Sequence, residues 1–332
     1  MDNPSVIDWR ARFLASGEDA DLPIVDAHQH YFDIEKHYYP WLNDRPLRPF
    51  RYGDYSSICR NFLPEDYRRL TGNHRIVQTV VIEGEWDPAT PADEVRFVES
   101  LAQNEPTLAA MVAQAWLDRE DASDLLRQYG DHPLVRGVRH KPVVTRLEAW
   151  REDFLAPGSM RDPRWREGYA QLAENGLHFE LQAPWWHLAE AAELARDFPD
   201  VTIVVNHTAL PADRSEEGLA GWRESLALLA REPNVALKIS GICIPGKAWP
   251  VESNRVVVND AISIVDVSRC AFASNYPVDG VVNGMSEIFD GFKTIVSDRS
   301  LTDRLALFHD NARRIYRLTC PSFEQPFRSS HV

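Results

Sequence analysis

Eight short apolar runs recur along this chain, most of them separated by longer stretches with apolar residues at helical spacing, and that alternation constrains the fold more than any single residue does. The runs are Leu22 to Val25, Ile76 to Ile82, Leu108 to Trp116, Val135 to Val138, Leu177 to Leu181, Val201 to Val205, Val235 to Ile239 and Cys270 to Ala273. Between them lie amphipathic segments such as Asp93 to Leu101, Ala122 to Tyr129, Leu188 to Phe198, Gly221 to Ala230 and Arg255 to Ile264. Short runs of this kind suit strands buried on both faces, and strand-helix alternation builds a parallel sheet. Eight such units in 332 residues fit an α/β fold of the closed kind, a (β/α)8 TIM barrel, better than an open sheet. The barrel is expected at residues 22–319, after an N-terminal extension at 1–21 and before a C-terminal tail at 320–332. The stretch Leu301 to Leu318 is expected to close its outer ring of helices.

Two segments exceed what a bare barrel needs. Tyr31 to Arg69, rich in Tyr, Pro and Arg, separates the first two strands and is expected to fold over the carboxyl-end mouth. Either it supplies substrate contacts from Arg48, Arg51 or Tyr52, or Tyr38-Tyr39-Pro40-Trp41 merely packs a small cover. Arg146 to Arg166 forms a second insertion of the same kind.

A formal net charge of −14 disfavours a nucleic-acid backbone or an anionic membrane as partner. No apolar run is long enough to cross a bilayer, and the polar, acidic start lacks the features of a signal peptide. Cys59, Cys243, Cys270 and Cys320 are far apart and form no C-x-x-C pair. A cytoplasmic protein acting on a small molecule is the expectation; homo-oligomerisation is left open.

In a barrel enzyme the reacting groups sit at the carboxyl ends of the strands and on the loops that follow. The first strand ends in His28-Gln29-His30, with Asp26 two residues before the first histidine. Residues two apart on a strand share a face, so both imidazoles would emerge together as a chelate or polar clamp. The alternative is a hydrogen-bonded, inert pair in a strand-end turn. Later strand ends carry Glu83-Gly84-Glu85, Arg139-His140-Lys141, Glu180-Leu181-Gln182, Asn206-His207, Lys238 with Ser240, and Ser274-Asn275-Tyr276-Pro277-Val278-Asp279. Lys238, inside a buried-type strand, calls for an internal partner such as Glu180 or Glu83, or else for a substrate anion.

Several of these motifs, Val25-Asp26-Ala27-His28-Gln29-His30, Gly137-Val138-Arg139-His140, Val205-Asn206-His207-Thr208, Lys238-Ile239-Ser240-Gly241 and Phe272-Ala273-Ser274-Asn275-Tyr276-Pro277, together resemble the amidohydrolase superfamily. The resemblance is closest to its branch of L-fuconolactonase-like, L-rhamnonolactonase-like and 2-pyrone-4,6-dicarboxylate lactonase-like enzymes. It implies a hydrolase that attacks esters, lactones or amides with an activated water. His28, His30 and His207 match the histidines that hold a metal in many members. The metal-binding histidine after strand five and the aspartate after strand eight are replaced by Gln182 and Asn275. A carboxamide is a poor zinc ligand and no general base, so either no cofactor or a single divalent ion, zinc or manganese, on the three histidines is implied.

Ester hydrolysis then needs a proton acceptor, oxyanion donors and a grip on the substrate. Glu85 is the first candidate acceptor, because it lies farther out along its strand, with Glu83, Asp279 and the histidines behind it. Its equal alternative is an ion pair with Arg139 or Lys141. His28, His30 and His207 are the candidate oxyanion donors, and Asn275 would orient substrate or water. Substrate contacts are expected from Arg51, Glu83, Arg139, His140, Gln182, Lys238, Tyr276 and Asp279. A metal-dependent decarboxylase and a ligand-binding barrel without turnover are the competing expectations.

Overall fold

The computed structural model describes residues 8–319; residues 1–7 and the tail at 320–332, with Cys320, lie outside them. Eight strands form one sheet in chain order: β1 Pro23–Gln29, β2 Arg75–Ile82, β3 Leu108–Gln114, β4 Val135–Arg139, β5 His178–Leu181, β6 Ile203–Val205, β7 Val235–Ile239 and β8 Cys270–Phe272. All seven neighbouring pairs are parallel. The ring closes where His30 N donates to the Tyr276 carbonyl at 2.8 Å and Asn275 N to the His28 carbonyl at 2.8 Å. The fold is a (β/α)8 TIM barrel, as the alternation of runs predicts.

Crossover helices fall where the amphipathic segments lie, at Pro91–Ala102, Ala122–Asp131, Leu188–Asp197, Glu216–Leu229 and Val251–Val265, and two more stand at Met285–Ile295 and at Pro163–Ala170, the latter starting inside the stretch expected as the second insertion. Proline starts two of them, Pro91 and Pro163, where the missing N–H costs nothing and φ is already helical. Ser215 caps another by accepting from Gly218 N at 3.1 Å. β3 and β8 end one or two residues short of the expected bounds, because Ala115, Trp116 and Ala273 already belong to loops, whereas β1 runs on to Gln29 and β4 to Arg139. A further helix, Trp9–Ser16, lies in the N-terminal extension.

Large apolar residues of the strands and crossover helices, such as Phe179, Trp165 and Tyr169, make the outer core. A separate cluster fills the barrel with small residues, including Val25, Ala27, Val80, Ala110, Val112, Val204, Ala236 and Ala271. Small side chains leave room along the axis for polar groups at the carboxyl end.

The final stretch departs from expectation. It breaks into Leu301–Leu305, a π-helical turn Ala306–Asp310 and Asn311–Ile315. Leu305, Leu307 and Phe308 join the outer core, but Ala312, Ile315, Tyr316 and Leu318 join the interior cluster. The chain end therefore fills the barrel's inside as well as its ring.

The insertion at 31–69 is closed on itself by an isolated antiparallel bridge, Phe32 to Phe62, and is fastened to the loop after β2 by Trp41 Nε1 donating to the Gly84 carbonyl at 2.8 Å. Within the second insertion, Trp150 Nε1 donates to Glu190 at 3.1 Å. Among the described residues no helix is long and apolar enough to cross a membrane.

Candidate active site

The register of β1 against β2 slips between Asp26 and Gln29, and across that irregularity the side chains of His28 and His30 still meet, as their spacing predicts. Their Nε2 atoms lie 3.2 Å apart. His30 Nδ1 stands 2.8 Å from the Ile82 carbonyl, which only accepts, so Nδ1 carries the hydrogen and Nε2 presents a lone pair. His28 is then assigned as the donor through Nε2–H, which leaves its buried Nδ1 without a partner.

His207 comes to the same place from the loop after β6, its ring centroid 4.6 Å from that of His28. Its backbone opens a run of four residues without glycine at positive φ, His207 at 52° and Thr208, Ala209 and Leu210 each at 57°. Left-handed backbone costs a non-glycine residue roughly 1–2 kcal/mol, so the run persists only because its surroundings hold it. Thr208 Oγ1 donates to the Ser240 carbonyl at 3.1 Å and Trp222 Nε1 donates to the Thr208 carbonyl at 2.8 Å. His207 Nδ1 lies 3.0 Å from Ser240 Oγ. With the hydroxyl donating there, the hydrogen of the His207 ring is carried on Nε2.

Burial above all, with the charges of Lys238 and Arg139, holds His28 and His207 well below the usual imidazole range, and Arg51 adds to the effect on His207. Burial, then Arg139, brings His30 to about 3. All three are neutral at physiological pH.

A divalent ion needs at least three converging donors, and family sites add a carboxylate to balance its charge. Among the described residues no group of three His, Cys, Asp or Glu side chains is arranged to hold a metal ion. The carboxylate position is Asn275, whose Nδ2 is committed to Asp279 at 2.6 Å, and Gln182 Oε1 accepts from Arg139 at 3.2 Å. His28, His30 and His207 thus come together as predicted, but the donor set does not fit the expected metal.

Asp279 is buried and gathers hydrogen bonds from Tyr52 Oη at 3.0 Å, Asn275 Nδ2 at 2.6 Å and Cys243 Sγ at 3.5 Å, with Arg51 Nη2 3.5 Å away. Burial pushes its carboxyl up, and Arg51 with the three donors only partly counters that. Arg51 also stacks over the Tyr52 ring at 4.5 Å. The mouth insertion therefore reaches the site, through Arg51 and Tyr52.

A second group lies on the β2 to β4 side. Arg139 clamps the Glu83 carboxylate and donates to the Glu83 carbonyl at 2.6 Å, while Lys141 pairs with Glu85. Burial opposes the ionisation of Glu85, but the Lys141 charge wins and lowers its pKa. These four residues, with Trp41, Arg48, Trp86, Trp116 and His140, line a cavity of ≈ 140 Å³. His140 Nδ1 is occupied, accepting from Leu117 N at 3.0 Å and Trp165 Nε1 at 2.9 Å.

Two expected substrate contacts belong elsewhere. Lys238 is fully buried 2.5 Å from Glu180, which also accepts from Tyr316 Oη at 2.7 Å. Burial drives Lys238 down to about 8. Tyr276 Oη donates to the Asn283 carbonyl at 2.8 Å, so its ring braces the β8 loop. Gly241, quoted above only as the end of a motif, lies behind His207, and Arg214, on the loop after β6, carries weight that no motif signalled.

The Amidohydrolase family model matches residues 25–318. An uncharacterised protein of Sinorhizobium fredii, y4mH, is 37% identical over 299 residues, 90% of this chain and 100% of its own length. An L-fucono-1,5-lactonase of Burkholderia ambifaria is 25% identical over 307 residues, 91% of this chain and 98% of its own. An amidohydrolase from Burkholderia multivorans, crystallised with HEPES, superposes with a TM-score of 0.73 at 22% identity, over 89% of this chain and 99% of that one. A second crystal form of it, with zinc bound, gives 0.72 at 21% identity over the same shares.

Proposed function

This chain belongs to the amidohydrolase family, and on that premise we propose that it is a lactonase, opening the ester of a small-molecule lactone with an activated water. The observation that carries the reading is the meeting of three neutral imidazoles, His28, His30 and His207, at the carboxyl end of the barrel. The L-fucono-1,5-lactonase relative supports the substrate class.

His207 is the oxyanion donor in this reading. Its Nδ1 is held by Ser240, and its Nε2–H is the hydrogen left to meet negative charge on the carbonyl oxygen as water adds. The His28–His30 pair forms the wall beside it.

Asp279 takes the proton. Burial raises its pKa towards the range in which a carboxylate is an effective base, whereas Lys141 lowers that of Glu85. Asn275 links the two ends, donating to Asp279 while its buried Oδ1 lacks any donor and is available to orient the water. Water transfers one proton to Asp279 and its oxygen bonds to the carbonyl carbon; collapse of the tetrahedral adduct breaks the ring C–O bond and returns the proton to the leaving alkoxide. Arg139 and Glu83 brace the cavity, and Glu85 with Lys141 edges it.

The test is hydrolysis of a panel of sugar and aromatic lactones, followed by acid release with a pH indicator. Turnover that disappears in Asp279→Asn and His207→Gln supports the reading. Absence of turnover across the panel refutes it.

A further inference from the structure

Arg214 is a cation without a counterion. It sits on the loop between β6 and the helix Glu216–Leu229, and among the described residues it forms no ion pair. Only its Nη2 is bonded, weakly, donating to the Ile242 carbonyl at 3.3 Å and to Asn254 Oδ1 at 3.5 Å. Its Nε and Nη1 are buried and have no acceptor. Asn254, fully buried in the first turn of the helix Val251–Val265, is in the same condition: its Oδ1 faces Arg214 and its buried Nδ2 has no acceptor.

Three buried donor atoms on two touching side chains, with no acceptor among them, are costly to leave unmet. A buried polar group without a partner loses about 1–3 kcal/mol, and more if it is charged. Native proteins satisfy nearly all such groups. A water molecule can accept these hydrogens, but it brings no charge to a guanidinium. An anion does both, and a carboxylate oxygen accepts a charge-assisted hydrogen bond from either free N–H of the guanidinium.

The position ties this spot to the candidate active site. Tyr52 and Cys243 are the electrostatic neighbours of Arg214, and both donate to Asp279. Arg214 is part-buried as a residue, whereas Asn254 is fully buried.

We infer that Arg214 and Asn254 form a carboxylate subsite, which receives an acidic substituent carried by the lactone. The inference rests on the lactonase reading for the source of the carboxylate, but not for the subsite itself. The carboxylate would accept from a free N–H of Arg214 and from Nδ2 of Asn254, and the ester would lie towards His207 and Asp279.

The experiment compares the wild type with Asn254→Asp and Arg214→Gln. Asn254→Asp keeps the side-chain size and gives Arg214 an internal counterion, so the fold is preserved while the subsite is filled. Melting temperature is measured with acetate and with inorganic phosphate, and kcat/KM is measured for D-saccharic acid 1,4-lactone and D-glucono-1,4-lactone, which differ only by a carboxylate in place of a hydroxymethyl group. Acetate should raise the melting temperature of the wild type and of neither variant. The acidic lactone should be preferred by roughly 10- to 100-fold, the worth of a charge-assisted pair, and each variant should bring that preference close to one. If phosphate alone protects and the acidic lactone is not preferred, the spot is an inorganic-anion site and the substrate assignment is overturned. If neither anion protects and no preference exists, the subsite itself is refuted. If neither lactone is turned over yet acetate protection is lost in Asn254→Asp, the lactonase reading fails and the subsite stands.

Discussion

Gly241 lies directly against His207: a Cβ added there would sit 2.7 Å from the His207 Cβ and 2.8 Å from its Cγ. Gly241 also has φ +64°, which side chains other than glycine rarely adopt. The imidazole is thus held from behind by bare backbone and from the side by Ser240.

Gly241→Ala should therefore injure the site more than the fold. The new methyl group must displace the His207 ring, and a shift of about 1 Å in a reacting group can cost roughly 100-fold in rate. Stability should fall by about 1–3 kcal/mol from the strained backbone. Lactone kcat/KM and the melting temperature, measured on the same preparation, separate the two effects.

Asp279→Asn should lower kcat by roughly 10²- to 10⁴-fold, the usual contribution of a positioned base. Glu85→Gln removes half of a part-exposed ion pair with Lys141 and should change kcat by no more than about fivefold. The reverse ranking would return the role of base to Glu85. In the wild type, kcat/KM should fall on acidification as Asp279 takes up a proton, with a midpoint above the ordinary aspartate value because burial raises it.

Chelation should leave lactone hydrolysis unchanged, and elemental analysis of the purified protein should find metal well below one equivalent. The donor set is the reason, with Asn275 and Gln182 engaged elsewhere. Stoichiometric zinc or manganese together with chelator-sensitive turnover would put His28, His30 and His207 on a metal and restore the decarboxylase alternative.

Lys238→Met should destabilise the barrel by about 3–5 kcal/mol, because it strands the Glu180 carboxylate in the interior. Lys238→Met with Glu180→Gln should recover much of that loss, read by denaturant unfolding. Burial opposes ionisation of Glu180, but Lys238 and His178 prevail and hold its carboxyl down to about 2, against 4.5 when unpaired. An acid with a depressed folded-state pKa stabilises fully above its unfolded value. The contribution of Glu180 should therefore be intact above about pH 4.5 and fade as pH falls towards 2.

Much of this molecule is legible in one dimension. Strands that are apolar on both faces and helices with one apolar stripe leave the chain few ways to bury them, so the eight runs and their intervening segments were enough for the barrel. A period of two sufficed to bring His28 and His30 together, and barrel geometry sufficed to bring His207 to the same mouth. The tertiary structure decided which partner each polar group takes. Glu85 and Asp279 are both carboxylates on strand-end loops; only three-dimensional proximity gives one a lysine and the other Tyr52, Asn275 and Cys243. Lys238 is kept from substrate by Glu180, two strands away in the sheet, and Arg214 is left without a carboxylate by a loop that no periodicity describes. Periodicity follows from the local geometry of the backbone, whereas ion pairing and burial depend on distances between residues far apart in the chain, which only the closed barrel sets.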